Sequence, residues 1–91
     1  MPTLTDCDAA FVYLLRCADG TLYCGWTTDV ERRLRAHQAG TASRYTRSRL
    51  PVALATVVPV ADRSAALREE RRIKRLSRAE KLEFVSRIES A

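Results

Sequence analysis

The chain has 91 residues, 46% of them hydrophobic and 30% charged, with a net charge of +5. That supports one compact domain with a modest core; it excludes wholesale disorder and leaves no room for a second domain. The longest apolar stretch, Pro51 to Ala61, is interrupted by Thr56 and Pro59 and is too short to cross a bilayer.

Residues 1–10 lack periodicity and read as a flexible arm. They carry Asp6 and Asp8 where a signal peptide would carry basic residues followed by an apolar run. The expectation is a cytoplasmic protein, with residues 11–91 as its single domain. Three cysteines, Cys7, Cys17 and Cys24, form no CxxC pair and have one histidine beside them in composition. They read as reduced thiols filling strand positions rather than as a zinc or disulfide framework.

Phe11 to Cys17 and Leu22 to Thr27 are rich in β-branched and aromatic residues and predict two strands. Ala18-Asp19-Gly20 between them has the chemistry of a three-residue hairpin loop, with glycine where φ must be positive. Such a loop sets Cys17 opposite Thr21, Leu15 opposite Tyr23 and Tyr13 opposite Gly25. Tyr13 and Tyr23 then share one sheet face as diagonal neighbours, whereas a two-residue loop would separate them.

Thr28 and Glu31 have the spacing of a capping box, and the helix they open should stop at Gly40. Its buried stripe contains Val30 and Leu34, continued by Arg33 and His37, two groups seldom buried without partners. Thr41 to Leu50 reads as a polar loop, and Pro51 to Val60 as a third strand with proline near both ends, as an edge strand tolerates. Ser64 is positioned to cap a second helix reaching about Leu76, with Ala66, Leu67, Ile73 and Leu76 as its core stripe. Ser77 and Glu80 form another capping box, opening a third helix with Leu82, Val85 and Ile88 inward.

Two patterns point toward chemistry. From Arg32 to Ala61 there are six arginines (Arg32, Arg33, Arg35, Arg44, Arg47 and Arg49) and no acid, a distribution suited to a polyanion. On the second helix, Glu70 lies nearer the apolar stripe than Glu69. A carboxylate there needs a cation, a metal or a proton of its own, and Arg71 and Lys74 are local candidates for an ion pair.

Tyr13, Tyr23 with Gly25, Arg33, His37 and an inward glutamate form an ordered set that resembles the GIY-YIG nuclease superfamily. Val12-Tyr13 stands for the Ile-Tyr of its first motif, with Phe11 in place of the glycine, and Tyr23-Cys24-Gly25 stands for Tyr-Ile-Gly. Arg33 and His37 follow at family spacing, and Ala66-Leu67-Arg68-Glu69-Glu70 matches the segment whose glutamate supplies the metal ligand, selecting Glu70. The resemblance is closest to the small stand-alone bacterial (YhbQ-like) branch. It implies an α+β fold, a three-stranded antiparallel sheet flanked by helices in the order ββαβαα. It also implies a metal-dependent endonuclease that hydrolyses phosphodiesters in nucleic acid, DNA before RNA, in DNA repair or processing.

The implied site has Tyr13, Tyr23, Arg33, His37 and Glu70 as catalytic residues, with Glu70 holding one Mg²⁺ or Mn²⁺ ion. One tyrosine would orient or deprotonate the attacking water and the other would bind phosphate, the two roles being unassigned between them. Arg33 would stabilise developing charge, and His37 would bond a phosphate oxygen or protonate the leaving group. Arg32, Arg35, Arg44, Arg47, Arg49 and Lys74 are the candidate nucleic-acid contacts, with no membrane and no obligate protein partner. The competing readings are a nucleic-acid-binding module of the same fold that cleaves weakly or not at all, and a basic protein that binds an acidic one.

Overall fold

The computed structural model describes residues 9–90. Strands β1 (Ala10–Arg16) and β2 (Leu22–Thr27) form the expected hairpin, and β3 (Ala53–Val60) pairs antiparallel with the other edge of β1, giving the order β2-β1-β3. Cys17 N–H donates to Thr21 O at 2.9 Å, and Gly20 closes the loop at φ +86°. The register sets Leu15 opposite Tyr23 and Tyr13 opposite Gly25. The positive φ of one glycine thus fixes which face both tyrosines occupy.

Among the described residues there are also four helices: α1 (Val30–Gln38), the single turn α2 (Arg44–Arg47), α3 (Arg63–Lys74) and α4 (Arg78–Ser90). Among them α2 was not expected. Ser43 accepts from Tyr45 N–H and starts the turn inside a segment whose polarity resembles a loop. None of the described helices is long and apolar enough to cross a membrane.

The central strand β1 buries both faces. Ala10, Val12 and Leu14 join Leu22, Cys24, Ala66, Ile73 and Val85 in one cluster, beneath α3 and α4. Tyr13, Leu15 and Cys17 join Val52 on the other face, with Leu34 of α1 packed against them. Cys17 and Cys24 are both buried and free, and burial pushes the Cys24 thiol up to about 12, so it stays protonated and unreactive. Cys7 and most of the expected N-terminal arm lie outside the described residues. The arm does not reach residue 10, because Ala10 is buried and pairs with Val60.

Several local expectations need correction. The cap of α1 is Asp29, whose Oδ1 accepts from Arg32 N–H at 3.1 Å, while Thr28 is exposed. Thr27 Oγ1 accepts from Asp29 N–H at 3.1 Å, which seats the aspartate at the helix entry. Likewise Asp62, not Ser64, caps α3 by accepting from Ala65 N–H at 2.8 Å. In both cases a carboxylate at the positive end of the helix dipole displaces a neutral hydroxyl. The Ser77–Glu80 box forms reciprocally, as its spacing implied.

The apolar stripes also shift. Leu67 and Leu82 are each 40% exposed. Ala66 and Ile73, a helical repeat of seven apart, set the buried line of α3, and Leu67 turns off it. On α4 the inward line is Lys81, Phe84, Val85 and Ile88, which leaves Leu82 outside and puts a lysine within the stripe. In β3 a bulge admits Ala55 between the partners of Leu14 and Leu15.

The capping assignment has a direct test. Asp29→Ala should lower unfolding free energy by about 1 kcal/mol, whereas Thr28→Ala should fall within a few tenths of wild type. Urea titration of the two variants distinguishes them.

Candidate active site

The face of the sheet opposite α3 and α4 gathers two of the expected residues, Tyr13 and Tyr23, around the imidazole of a third, His37. His37, on the last turn of α1, is fully buried, and Tyr13 is 2% exposed. Tyr13 Oη lies 2.8 Å from His37 Nε2, and His37 Nδ1 lies 2.8 Å from Thr46 Oγ1 of α2. Tyr13 and Tyr23 both meet the imidazole edge to face, with ring centroids 5.7 and 5.2 Å away. Tyr23 then packs on Tyr45 at 5.7 Å.

One tautomer satisfies all of these bonds at once. The Thr46 hydroxyl can donate to Ser43 O at 3.4 Å, so it accepts the proton of His37 Nδ1–H. Nε2 is left with its lone pair and accepts from the Tyr13 hydroxyl. Burial, and secondarily the Arg33 charge, pull the imidazole below its ordinary range and keep it neutral. Burial raises the Tyr13 phenol, and the nearby Arg33 guanidinium acts in the opposite direction. The site therefore joins a reluctant phenol to a neutral acceptor, under a cation one turn away on α1.

Gly25 makes this arrangement possible through space rather than through its own torsions. A Cβ there would lie 2.6 Å from Tyr13 Oη and 2.8 Å from its Cζ. Any side chain would push the phenol off the imidazole.

His37 lies deeper than a direct contact with substrate requires. Both ring nitrogens are bonded inside the protein and the ring is sealed, so it cannot bond a phosphate oxygen or reach a leaving group directly. It lies behind Tyr13, bonded to its hydroxyl. Thr46 was absent from the sequence reading, because nothing periodic marks it; the one signal was Ser43, three residues before it, at cap spacing.

Glu70 sits on α3, and its charge acts on both the Tyr13 phenol and the Cys24 thiol beside β2. Its side chain is 18% exposed and pairs with Lys74 Nζ at 3.4 Å. Glu69 is held in a two-pronged grip by Arg72 at 3.0 and 2.7 Å. Of the two carboxylates, Glu70 is the less tightly engaged. Among the described residues no three His, Cys, Asp or Glu side chains gather as a closed metal cluster. One carboxylate fits Mg²⁺ or Mn²⁺, ions that keep several waters and complete their shell with substrate phosphate.

The expected cationic contacts divide. Arg32, Arg33, Arg35, Arg44 and Arg47 are exposed. Arg49 is engaged internally: it pairs with Asp19 at 3.0 Å, donates to Tyr45 O and lies 3.9 Å over the Tyr45 ring. Lys74 is occupied by Glu70.

The family model described as the GIY-YIG catalytic domain matches residues 9–83. The chain belongs to the GIY-YIG family. A UPF0213 protein of Halobacterium salinarum is 51% identical over 70 residues, covering 77% of this chain and 91% of that protein. A UPF0213 protein of Nitratidesulfovibrio vulgaris is 49% identical over 88 residues, covering 97% and 80%. The solution NMR structure of a UPF0213 protein from Bacillus halodurans is similar at 41% identity. It covers 86% of this chain and 83% of that one, with a TM-score of 0.57. The α+β architecture with strands β2-β1-β3 is thus that of the GIY-YIG fold.

Two predictions follow from the buried imidazole. His37 is the chain's one histidine, and its pKa is lower folded than unfolded. Below the unfolded value near 6.5 the unfolded chain binds a proton that the native state refuses, so stability falls as pH falls. Tm should drop between pH 7.5 and 5.5, and His37→Gln should flatten that slope. Secondly, Thr46→Val leaves Nδ1–H buried without an acceptor and should cost about 1–3 kcal/mol by denaturant titration. Thr46→Ser should restore most of it.

Proposed function

We propose that this chain is a divalent-metal-dependent endonuclease that hydrolyses phosphodiester bonds in nucleic acid, DNA before RNA, in repair or processing. The observation that carries the reading is the 2.8 Å bond from Tyr13 Oη to a buried, neutral His37 Nε2. It gives a phenol, otherwise a poor base near pKa 10, somewhere to send its proton.

In this reading Tyr13 takes a proton from the attacking water and passes its own to Nε2, while Thr46 steadies the resulting imidazolium. The hydroxide adds to phosphorus, the bond from phosphorus to the leaving oxygen breaks, and that oxygen takes a proton from solvent. His37 then returns its proton through Tyr13. Tyr23, the more exposed tyrosine, binds the phosphate, and Arg33 stabilises the charge that grows on it. A Mg²⁺ or Mn²⁺ ion held by Glu70 and waters would polarise the phosphate when bound.

The Glu70–Lys74 pair favours a second reading, a nucleic-acid-binding module in which the carboxylate serves only structure. Cleavage of labelled branched, single-stranded and duplex DNA and of RNA, with Mn²⁺ or EDTA, decides between them. Tyr13→Phe and Glu70→Gln should abolish cleavage while binding persists, and Glu69→Gln should matter little. Arg33→Lys keeps the charge but not the planar fork, and should slow single-turnover cleavage about a hundredfold or more. Binding by wild type without any metal-dependent cleavage would establish the module instead.

A further inference from the structure

Strand β2 has a pocket at each end, and the tyrosine site lies between them. One, of about 130 Å³, is lined by Thr21, Leu22, Tyr45, Arg78 and Lys81. The other, of about 340 Å³, is lined by Trp26, Thr27, Thr28, Arg33 and Arg63. Leu22 and Thr27 are the first and last residues of β2, with Tyr23 and Gly25 between.

Both pockets have the same chemistry. Each combines two cations with hydroxyl-bearing side chains and an aromatic wall, and neither is lined by a carboxylate, although the chain has eleven Asp and Glu. Among the described residues, none of Arg33, Arg63, Arg78 or Lys81 takes part in an ion pair. Lys81 is the more telling because it stands in the inward line of α4, where a lysine gives up solvent without gaining a carboxylate. Its charge also acts on Cys24, at the middle of β2. Arg78 is held in place by donating to Gly20 O at 3.2 Å. Arg33, Arg63 and Arg78 are exposed and Lys81 is half-buried; cations left without a carboxylate suit an anion from outside, and hydroxyls beside them suit the oxygens of a phosphate.

The spacing indicates what kind of phosphate. Six strand residues separate the pockets by roughly 17 Å, and one strand of stacked nucleic acid covers that in about five nucleotides. We infer that β2 is the track for one strand of nucleic acid, whose phosphates on either side of the scissile one are held at Arg63 and at Arg78 with Lys81. This rests on the nuclease reading above and adds to it the binding path and three residues outside the arginine-rich window.

The test measures binding in EDTA, so that no strand is cut. The probes are labelled oligothymidylates of about a dozen and about three nucleotides, titrated at several salt concentrations. Arg63→Ala and Lys81→Ala are the informative variants, since neither side chain forms an ion pair or a hydrogen bond among the described residues. Arg87→Ala, on the last turns of α4, is the control. On the long strand each informative variant should flatten the log–log salt slope by about one, and the double variant by about two. The control should match wild type. The long strand should bind more tightly than its larger number of registers alone allows, and the double variant should lose that advantage. If Arg63→Ala and Lys81→Ala behave like Arg87→Ala while wild type still binds and cleaves, the track is wrong and the nuclease reading stands. If wild type neither binds nor cleaves nucleic acid of any form, the nuclease reading fails and the track fails with it.

Discussion

A buried imidazole has two nitrogens to satisfy, and in this molecule each is satisfied by a different part of the chain. Nε2 takes the hydroxyl of Tyr13 from the central strand, and Nδ1 gives its proton to Thr46 from a single helical turn. Leaving either unmade would strand a polar atom in the interior. The imidazole therefore positions α2 over α1 and both over β1. Much that looks incidental follows from it: the glycine opposite Tyr13, the Ser43 cap that presents Thr46, and the edge-on contacts of two tyrosines. The same bonds that hold the structure also suit one tautomer, so the packing and the proposed proton path share one arrangement.

The hairpin and the tyrosine pair were legible in the sequence because loop length and glycine position leave little freedom in register. The edge position of β3 was legible from its prolines, and the Ser77–Glu80 box from its spacing. Helix entries at Asp29 and Asp62 were misplaced by one or two residues because hydroxyl and carboxylate caps compete within a few residues, and charge decides between them. Leu67 and Leu82 were misplaced because a helical stripe is wide, and only the neighbouring surface determines where its edge falls.

At the site, Tyr13, Tyr23, Arg33 and His37 were visible as a set, but the depth of His37 was not. Spacing puts it one turn from Arg33 and says nothing of Thr46 closing over it. The one-turn helix that carries Thr46 is too short to leave a periodic trace, and its arginines mask it as a solvent-facing loop. Glu70 was distinguishable from Glu69 by angle, and the two-pronged hold of Arg72 on Glu69 gives that distinction a chemical content.

The central strand is also the first of the described strands, and this bears on how the site is assembled. One edge of β1 is filled by β2 across a three-residue loop; the other waits for β3, beyond α1 and α2. The first pairing closes a short loop and the second a long one, so the hairpin is the low-contact-order half of the fold and β3 the slow half. Both tyrosines belong to the fast half. The histidine and threonine that give Tyr13 its proton acceptor lie within the long loop that β3 closes. A lesion in α1 or α2 thus removes the acceptor while leaving the tyrosine register untouched, so the chain can lose the proposed proton path and keep its scaffold.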